Sequence, residues 1–365
     1  MIDYKQILQK VVDENCTDAH FKPGGLPLIR RIKDLEAAGE EPLTAQDTEH
    51  ILKETLPEKK QKQFYQEQEM DYAYPYADQI RFRVNAHFHL GQVALSFRLC
   101  RTDILSFEAL RLPPVIRQLA ELERGLVLVS GITGSGKSTT LATMINHINE
   151  RRPCHIVTIE DPIEFIHKDK MSLVTQREVG LDTGSFLEAL KRTLRQDPDV
   201  ILIGEMRDRE TIRTAISAAE TGHLVFSTLH VVKAAMVVDR ILSFFDGAEQ
   251  QQIRLQISMN LQGVISQRLL PSADNTFILP ALEIMVGTPT VRKLIYDGNT
   301  RDLPQAIQNR EGGMQTLNQH LVNLVRSGVI SYEEAMKTSD NPFALRRNLE
   351  GGFAGGDTEA ILGGF

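Results

Sequence analysis

The chain is poor in cysteine, has no excess of basic charge and contains no long apolar run, and each shortage removes a class of protein. Cys16, Cys100 and Cys154 stand far apart with no CxxC pair. Neither a disulfide framework nor a thiolate zinc site is supported, and the usage suits a reducing cytosol. Acidic residues outnumber basic ones, 48 to 41, for a net charge of −7, which argues against a nucleic-acid binder. No stretch approaches the roughly 18–20 apolar residues of a membrane span. The opening MIDYKQILQKVVDENC lacks the basic-then-apolar order of a secretory leader. Any tie to a membrane would therefore run through a partner.

What remains is a soluble composition, 42% apolar and 24% charged over 365 residues, enough for two or three cores. Ile7, Leu8, Val11 and Val12 recur at helical spacing within Tyr4–Glu14, and a helix is expected over Thr44–Thr55. Residues 79–99 alternate apolar and polar around Gly91, a strand pair with a turn near Leu90–Gly91. Residues 1–111 thus read as a small α+β domain. Leu112-Pro113-Pro114 opens a linker, 112–124, because proline suits neither strand nor helix interiors. Beyond it, the short apolar runs Leu126–Ser130, His155–Ile159, Val200–Ile203 and Leu224–Thr228 read as strands covered on both faces. They alternate with amphipathic stretches at Ser138–Asn149, Ser185–Arg195 and Arg209–Ala219. That pattern predicts an α/β core with a mostly parallel sheet over residues 125–340. Residues 250–340 read as helical, broken at Gly312-Gly313, with a helix over Thr316–Ser327. Residues 341–365, glycine-rich at their end, read as a flexible tail.

Gly131-Ile-Thr-Gly-Ser-Gly136-Lys137-Ser138 matches the phosphate-binding pattern GxxxxGK[ST], with an apolar strand before it and a helix after it. Glycines let the backbone curl so that N–H groups face phosphate oxygens, and the helix adds its positive end. The expected nucleotide contacts are Gly131, Thr133, Gly134, Ser135, Gly136, Lys137, Ser138 and Thr139. Lys137 would reach the β- and γ-phosphates of ATP, and the Ser138 hydroxyl would bind Mg²⁺. The run Asp199-Val-Ile-Leu-Ile-Gly-Glu205 ends a buried strand in an acid, which would orient or deprotonate the attacking water. The plainer reading is a surface glutamate after a strand.

Four blocks carry a resemblance: GLVLVSGITGSGKSTT (125–140), TIEDPIEF (158–165), RQDPDVILIGEMRD (195–208) and TGHLVFSTLH (221–230). In that order they are similar to the P-loop, acidic, Walker B and histidine boxes of the type II/IV secretion ATPases. Among these the chain resembles the PilT/PilU branch of pilus retraction ATPases. CTDAHF (16–21) and TVRKLIYDGN (290–299) follow that branch's signatures only in part. The resemblance implies an N-terminal PAS-like α+β domain followed by a RecA-like ATPase domain, assembled as a homohexamer. It implies that Glu160 and Glu164 lie at the nucleotide and that His230 senses the γ-phosphate or a neighbouring subunit. Arginines at the positions of Arg83 and Arg98 would reach nucleotide across a hinge or interface, where a positive group stabilises charge on the transferred phosphoryl. On residue type alone, His223 and His230 could equally be structural donors. Arg81, Arg83 and Arg98 could be a solvated sheet face, and Lys191, Arg192 and Arg195 a solvated helix face.

The expected function is an ATP-hydrolysing motor that retracts type IV pili by disassembling pilin, driving twitching. It would be cytoplasmic, peripheral at the inner face of the bacterial inner membrane, and would meet a platform protein there. A paralogous retraction ATPase is a further expected partner. The alternatives are an accessory ATP-binding subunit that assists another motor, and a P-loop kinase, for which no lid pattern is found.

Overall fold

The computed structural model describes residues 2–14, 16–31, 34–77, 80–100 and 103–350. The chain divides into two units, the first holding the residues up to Asp103 together with Pro162–Ile166, the second Ile104–Asp161 and His167 onward. The part of the expected tail from 351 on lies outside the described residues.

The first unit runs α1 (Tyr4–Asp13), β1 (Asp18–Phe21), β2 (Leu28–Arg31), β3 (Asp34–Ala37), α2 (Ala45–Thr55), α3 (Glu58–Glu67), β4 (Glu69–Ala77), β5 (Ile80–His89) and β6 (Gln92–Cys100). Its six strands form one antiparallel sheet, ordered β3-β2-β1-β6-β5-β4. The β5–β6 hairpin is the expected strand pair. It turns through Leu90 (φ 50°) and Gly91 (φ 76°), both in the positive-φ region that a tight two-residue hairpin needs. The other strands were not foreseen. β1, β2 and β3 have four residues each, too few to show a period, and β4 carries Pro75, which a sheet accepts at its edge. Ile7, Leu8 and Val11 of α1 pack with Ile51 and Leu52 of α2 on Phe21, Phe82 and Phe97 of the sheet.

The second unit is built on a seven-stranded sheet, ordered β13-β12-β7-β11-β10-β8-β9. Its strands are β7 (Gly125–Ser130), β8 (His155–Glu160), β9 (Leu173–Glu178), β10 (Val200–Ile203), β11 (Leu224–Leu229), β12 (Leu261–Pro271) and β13 (Ile278–Val286). Every pairing is parallel except β12 with β13. Both faces are buried, as the apolar runs required. Leu126 and Leu128 enter one core while Val127 and Val129 enter the other; likewise Ile201 and Ile203 oppose Val200 and Leu202.

The helices of this unit are α4 (Pro114–Ala120), α5 (Lys137–Arg151), α6 (Phe186–Thr193), α7 (Arg209–Glu220), α8 (Val237–Leu242), α9 (Gly247–Asn260), α10 (Pro289–Asp297), α11 (Leu303–Gln308), α12 (Leu317–Arg326), α13 (Tyr332–Thr338) and α14 (Pro342–Leu349). Ser185, Asp208 and Thr316 cap α6, α7 and α12 as their sequences required.

Some expectations differ from the structure. Residues 250–340 are not purely helical, because β12 and β13 lie within them. Their sequences hide this, since Ser266 and Gln267 are polar yet buried and Pro280 sits in β13, an edge strand. Within the expected linker 112–124, Pro113 and Pro114 start α4 as its N-cap and first residue, a position that needs no N–H donor. Val115, Ile116 and Leu119 of α4 are buried in the core shared with β7. Residues 342–349 of the expected tail form α14.

Two buried histidines should make this unit acid-sensitive. Burial holds His167 and His320 well down, each to about 4, and His320 Nδ1 accepts the Leu282 N–H at 2.9 Å. The unfolded chain, with histidine near 6.5, binds more protons between these values. Stability should therefore fall as pH drops from about 6.5 to about 4, by up to about 1.4 kcal/mol per pH unit for each histidine. Urea midpoints measured across that range check this, and His320→Gln should flatten the slope.

Candidate active site

Parallel strands β7, β11, β10 and β8 lie side by side, so whatever stands at their carboxyl ends gathers along one edge of the sheet. Open α/β sheets bind ligands at that edge. The residues there are, in spatial order, Gly131 after β7, His230 after β11, Gly204-Glu205 after β10, and Glu160 closing β8.

The loop from Gly131 to Gly136 needs its glycines. Gly131, Gly134 and Gly136 take φ of 145°, 77° and 83°, which L side chains rarely adopt. A Cβ on Gly131 would also fall 2.5 Å from Ser135 Oγ. The first turn of α5 has no side-chain cap, which leaves its N–H groups to an outside acceptor. Ser135 is buried, and its hydroxyl finds no partner among the described residues. Lys137 Nζ donates to the Gly131 and Ile132 carbonyls, each at 3.0 Å, so the ammonium already arches over the loop. Thr133 and Gly134 are exposed, and Ser138 and Thr139 are half-buried. This cradle has the kind of donors that a phosphate chain requires.

Glu205 is largely enclosed, its side chain 16% exposed. Burial pushes its carboxyl up, but hydrogen bonding to Arg207 and the charges of Arg207 and His230 outweigh this and hold it below the usual carboxylate range. Arg207 lies 2.8 Å from one oxygen and His230 Nε2 3.2 Å from the other. The backbone beneath is tied across the sheet, with Thr228 Oγ1 donating to the Gly204 carbonyl at 2.6 Å and the Gly204 N–H to Ile159 O at 2.7 Å. Arg207 was not among the expected site residues, although it stands in the quoted box two positions past Glu205. In Arg207→Ala the larger part of the lowering influence is lost, so the acid limb of kcat/KM for ATP hydrolysis should move to higher pH. An unmoved limb in a folded variant would show that Arg207 does not tune the carboxylate.

Glu160 is half-buried; Thr158 Oγ1 donates to its Oε1 at 2.6 Å and Gln176 Nε2 at 3.2 Å. Gln176, on β9, is a second residue that sequence reading missed. His223 spends its Nδ1 on the Ala218 carbonyl at 2.9 Å, closing the end of α7, so the structural reading holds for it. Lys191, Arg192 and Arg195 are exposed, and Arg192 pairs with Glu188 at 3.5 Å, a solvated helix face.

Arg83, Arg98 and Glu164 belong to the first unit. Arg83 and Arg98 are direct partners across β5 and β6, so their side chains share one face. Arg98 Nε donates to the buried Asp18 at 2.8 Å, and Arg83 lies 3.6 Å from Asp71. Like charges directly opposite each other weaken a sheet, and each of these arginines has an aspartate beside it. Glu164 is exposed within Pro162–Ile166, between buried Ile163 and Phe165.

A glycine cradle that joins a buried parallel strand to a helix is the build of the P-loop nucleotide hydrolases. The type II/IV secretion system protein family matches residues 66–301, and the chain belongs to that family. It is 44% identical over 317 residues to a twitching motility protein of Neisseria gonorrhoeae, covering 86% of this chain and 84% of that one. To the type IV pilus retraction ATPase PilT of Pseudomonas aeruginosa it is 42% identical over 342 residues, covering 93% and 99%. Its structure resembles a crystal structure of the pilus retraction motor PilT with bound ADP, with TM-score 0.88 and 39% identity over 95% of this chain and all of that one.

Proposed function

We propose that this chain is an ATP-hydrolysing motor of type IV pilus retraction and that its catalytic edge is the one described above. The observation that carries the reading is the order of β7, β11, β10 and β8. It sets the phosphate cradle, His230, a held-down Glu205 and Glu160 in one row. Likeness to PilT and to the twitching motility protein supplies the process.

The loop N–H groups and Lys137 bind the phosphates and neutralise their charge. Gly131, Thr133, Gly134, Ser135, Gly136, Ser138 and Thr139 complete the contacts. Glu205, kept ionised by Arg207 and His230, orients the attacking water or accepts its proton. Glu160, fixed by Thr158 and Gln176, supports the same water. His230, in contact with Glu205, responds to the state of the nucleotide. Mg²⁺, held through Ser138 with the acidic residues around it, would supply charge neutralisation at the β- and γ-phosphates. Glu164 and the arginine pair Arg83 and Arg98 are assigned by resemblance, the arginines as the positive group that stabilises the transition state.

The working form is a homohexamer at the cytoplasmic face of the inner membrane, docked on a platform protein. Among the described residues no helix is long and apolar enough to cross a membrane. Phosphate release by purified protein, with particle mass recorded in the same run, tests the reading. Wild type should turn over ATP as a ring, and Lys137→Ala should abolish both turnover and twitching. Rings that bind ATP without releasing phosphate would point instead to an accessory subunit, with a paralogous motor as its partner.

A further inference from the structure

We infer that Gln267, on β12, is a positioning residue for the phosphate cradle, holding the loop in its anion-binding shape from beneath; this rests on the nucleotide-binding reading of that loop. β12 runs parallel to β7 with Ser266 opposite Ser130, so Gln267 stands one residue beyond the last paired rung, where β7 gives way to the loop. It is 2% exposed. Its Nε2 donates to the Ser135 carbonyl at 2.5 Å, and its Oε1 accepts from Thr140 Oγ1 at 2.9 Å. The orientation of the amide follows from chemistry, because a carbonyl can only accept.

One side chain therefore grips the loop at Ser135 and the helix behind it at Thr140. The side chain also bears on one of the glycines, since a Cβ on Gly136 would lie 3.1 Å from Gln267 Nε2; a Cβ on Gly131 would meet the backbone carbonyl oxygen of Gln267 at 2.6 Å. The grip has a direct consequence for the donors. In a trans peptide the C=O and the following N–H point in opposite directions. Anchoring the Ser135 carbonyl on Gln267 therefore turns the Gly136 N–H away from β12. Burying a carboxamide costs stability unless both its ends are bonded. Here both are, and both bonds go to the cradle and its helix rather than to the rest of the sheet.

Gln267→Leu, Gln267→Glu and Thr140→Val test the assignment, with a fluorescent ADP analogue as the probe and melting of the nucleotide-free protein as the control. Gln267→Leu should weaken the analogue by about tenfold or more while the protein still melts cooperatively. Thr140→Val, which removes one end of the grip, should cost less, and adding it to Gln267→Leu should cost nothing further. Gln267→Glu should lose affinity at neutral pH, where a carboxylate repels the Ser135 carbonyl. It should regain affinity as pH falls, because the protonated acid can donate to that carbonyl again. A merely space-filling role would give no such recovery. Wild-type affinity in a folded Gln267→Leu would overturn the assignment, as would a pH-independent loss in Gln267→Glu. If Gln267→Leu does not fold, the pH profile of Gln267→Glu decides alone. Wild-type protein that fails to bind the analogue would overturn the nucleotide-binding reading itself.

Discussion

Glu205→Gln is expected to lower the rate of ATP hydrolysis by about 10²- to 10⁴-fold, the usual range for losing a positioned base, with little change in nucleotide affinity. The substitution keeps shape and size. The glutamine oxygen can still accept from Arg207, which lies 2.8 Å from the wild-type carboxylate, so the ties across β10 and β11 should survive. What disappears is the negative charge that orients the attacking water. Affinity should persist because it is lodged in the loop N–H groups and Lys137, on a different strand end. The measurement is phosphate release set against binding of a fluorescent nucleotide. Hydrolysis near the wild-type rate would remove Glu205 from the chemistry and shift attention to Glu160, the other half-buried carboxylate of the edge.

The second large effect concerns Arg83. Arg83→Ala should reduce hydrolysis by about 10³-fold or more if its guanidinium stabilises the transferred phosphoryl group. Its partner Asp71 is 3.6 Å away and both side chains are well exposed, a pairing of little worth to stability. The protein should therefore melt as wild type does. Arg98 is a poorer choice, since removing it strands Asp18, whose side chain is only 8% exposed. Mixing subunits separates the two ways an arginine can act. Lys137→Ala and Arg83→Ala subunits should each be inactive alone. In a head-to-tail ring where arginine and cradle come from neighbouring subunits, a random equal mixture restores a competent pair at about a quarter of the interfaces. Recovery of activity on mixing supports action between subunits. No recovery places the arginine on its own subunit's nucleotide. Full activity of Arg83→Ala by itself would return the pair to the solvated reading.

The cradle was legible because its chemistry is local, with eight consecutive residues specifying loop, helix start and lysine. The parallel strands β7, β8, β10 and β11 were legible for a related reason: Leu126 to Val129 and Val200 to Ile203 are apolar throughout because both sheet faces are covered. Legibility ended where a residue's surroundings come from distant parts of the chain. β12 conceals itself because Ser266 and Gln267 are buried among partners supplied by Ser130, Ser135 and Thr140. β13 does so because Glu283, half-buried, accepts the Ala234 N–H at 2.9 Å and interrupts an otherwise apolar run. Gln176 went unmarked on the same ground, because it reaches Glu160 from the neighbouring strand. Arg207 went unmarked for another reason: it stands two residues past Glu205, and spacing alone does not say that its guanidinium turns back onto that carboxylate. Prolines misled in the opposite sense: Pro113 and Pro114 signalled a break, and a break followed at once by a packed helix is what a helix start looks like.

The placement of Pro162–Ile166 has a topological consequence. Because that segment belongs to the first unit while its flanks belong to the second, the backbone passes between the units at 103–104, at 161–162 and again at 166–167. A protease that cut only the first of these passages would leave the halves tethered by the other two. A fragment ending at Asp103 would forfeit Ile163 and Phe165, both buried, and with them the Ile163 carbonyl that accepts from Cys100 Sγ at 3.5 Å. The two units are thus laced rather than strung: the first cannot be lifted out of the gene as the stretch ending at Asp103 without leaving part of its own interior behind, and the stretch from Ile104 on carries that part away with the second.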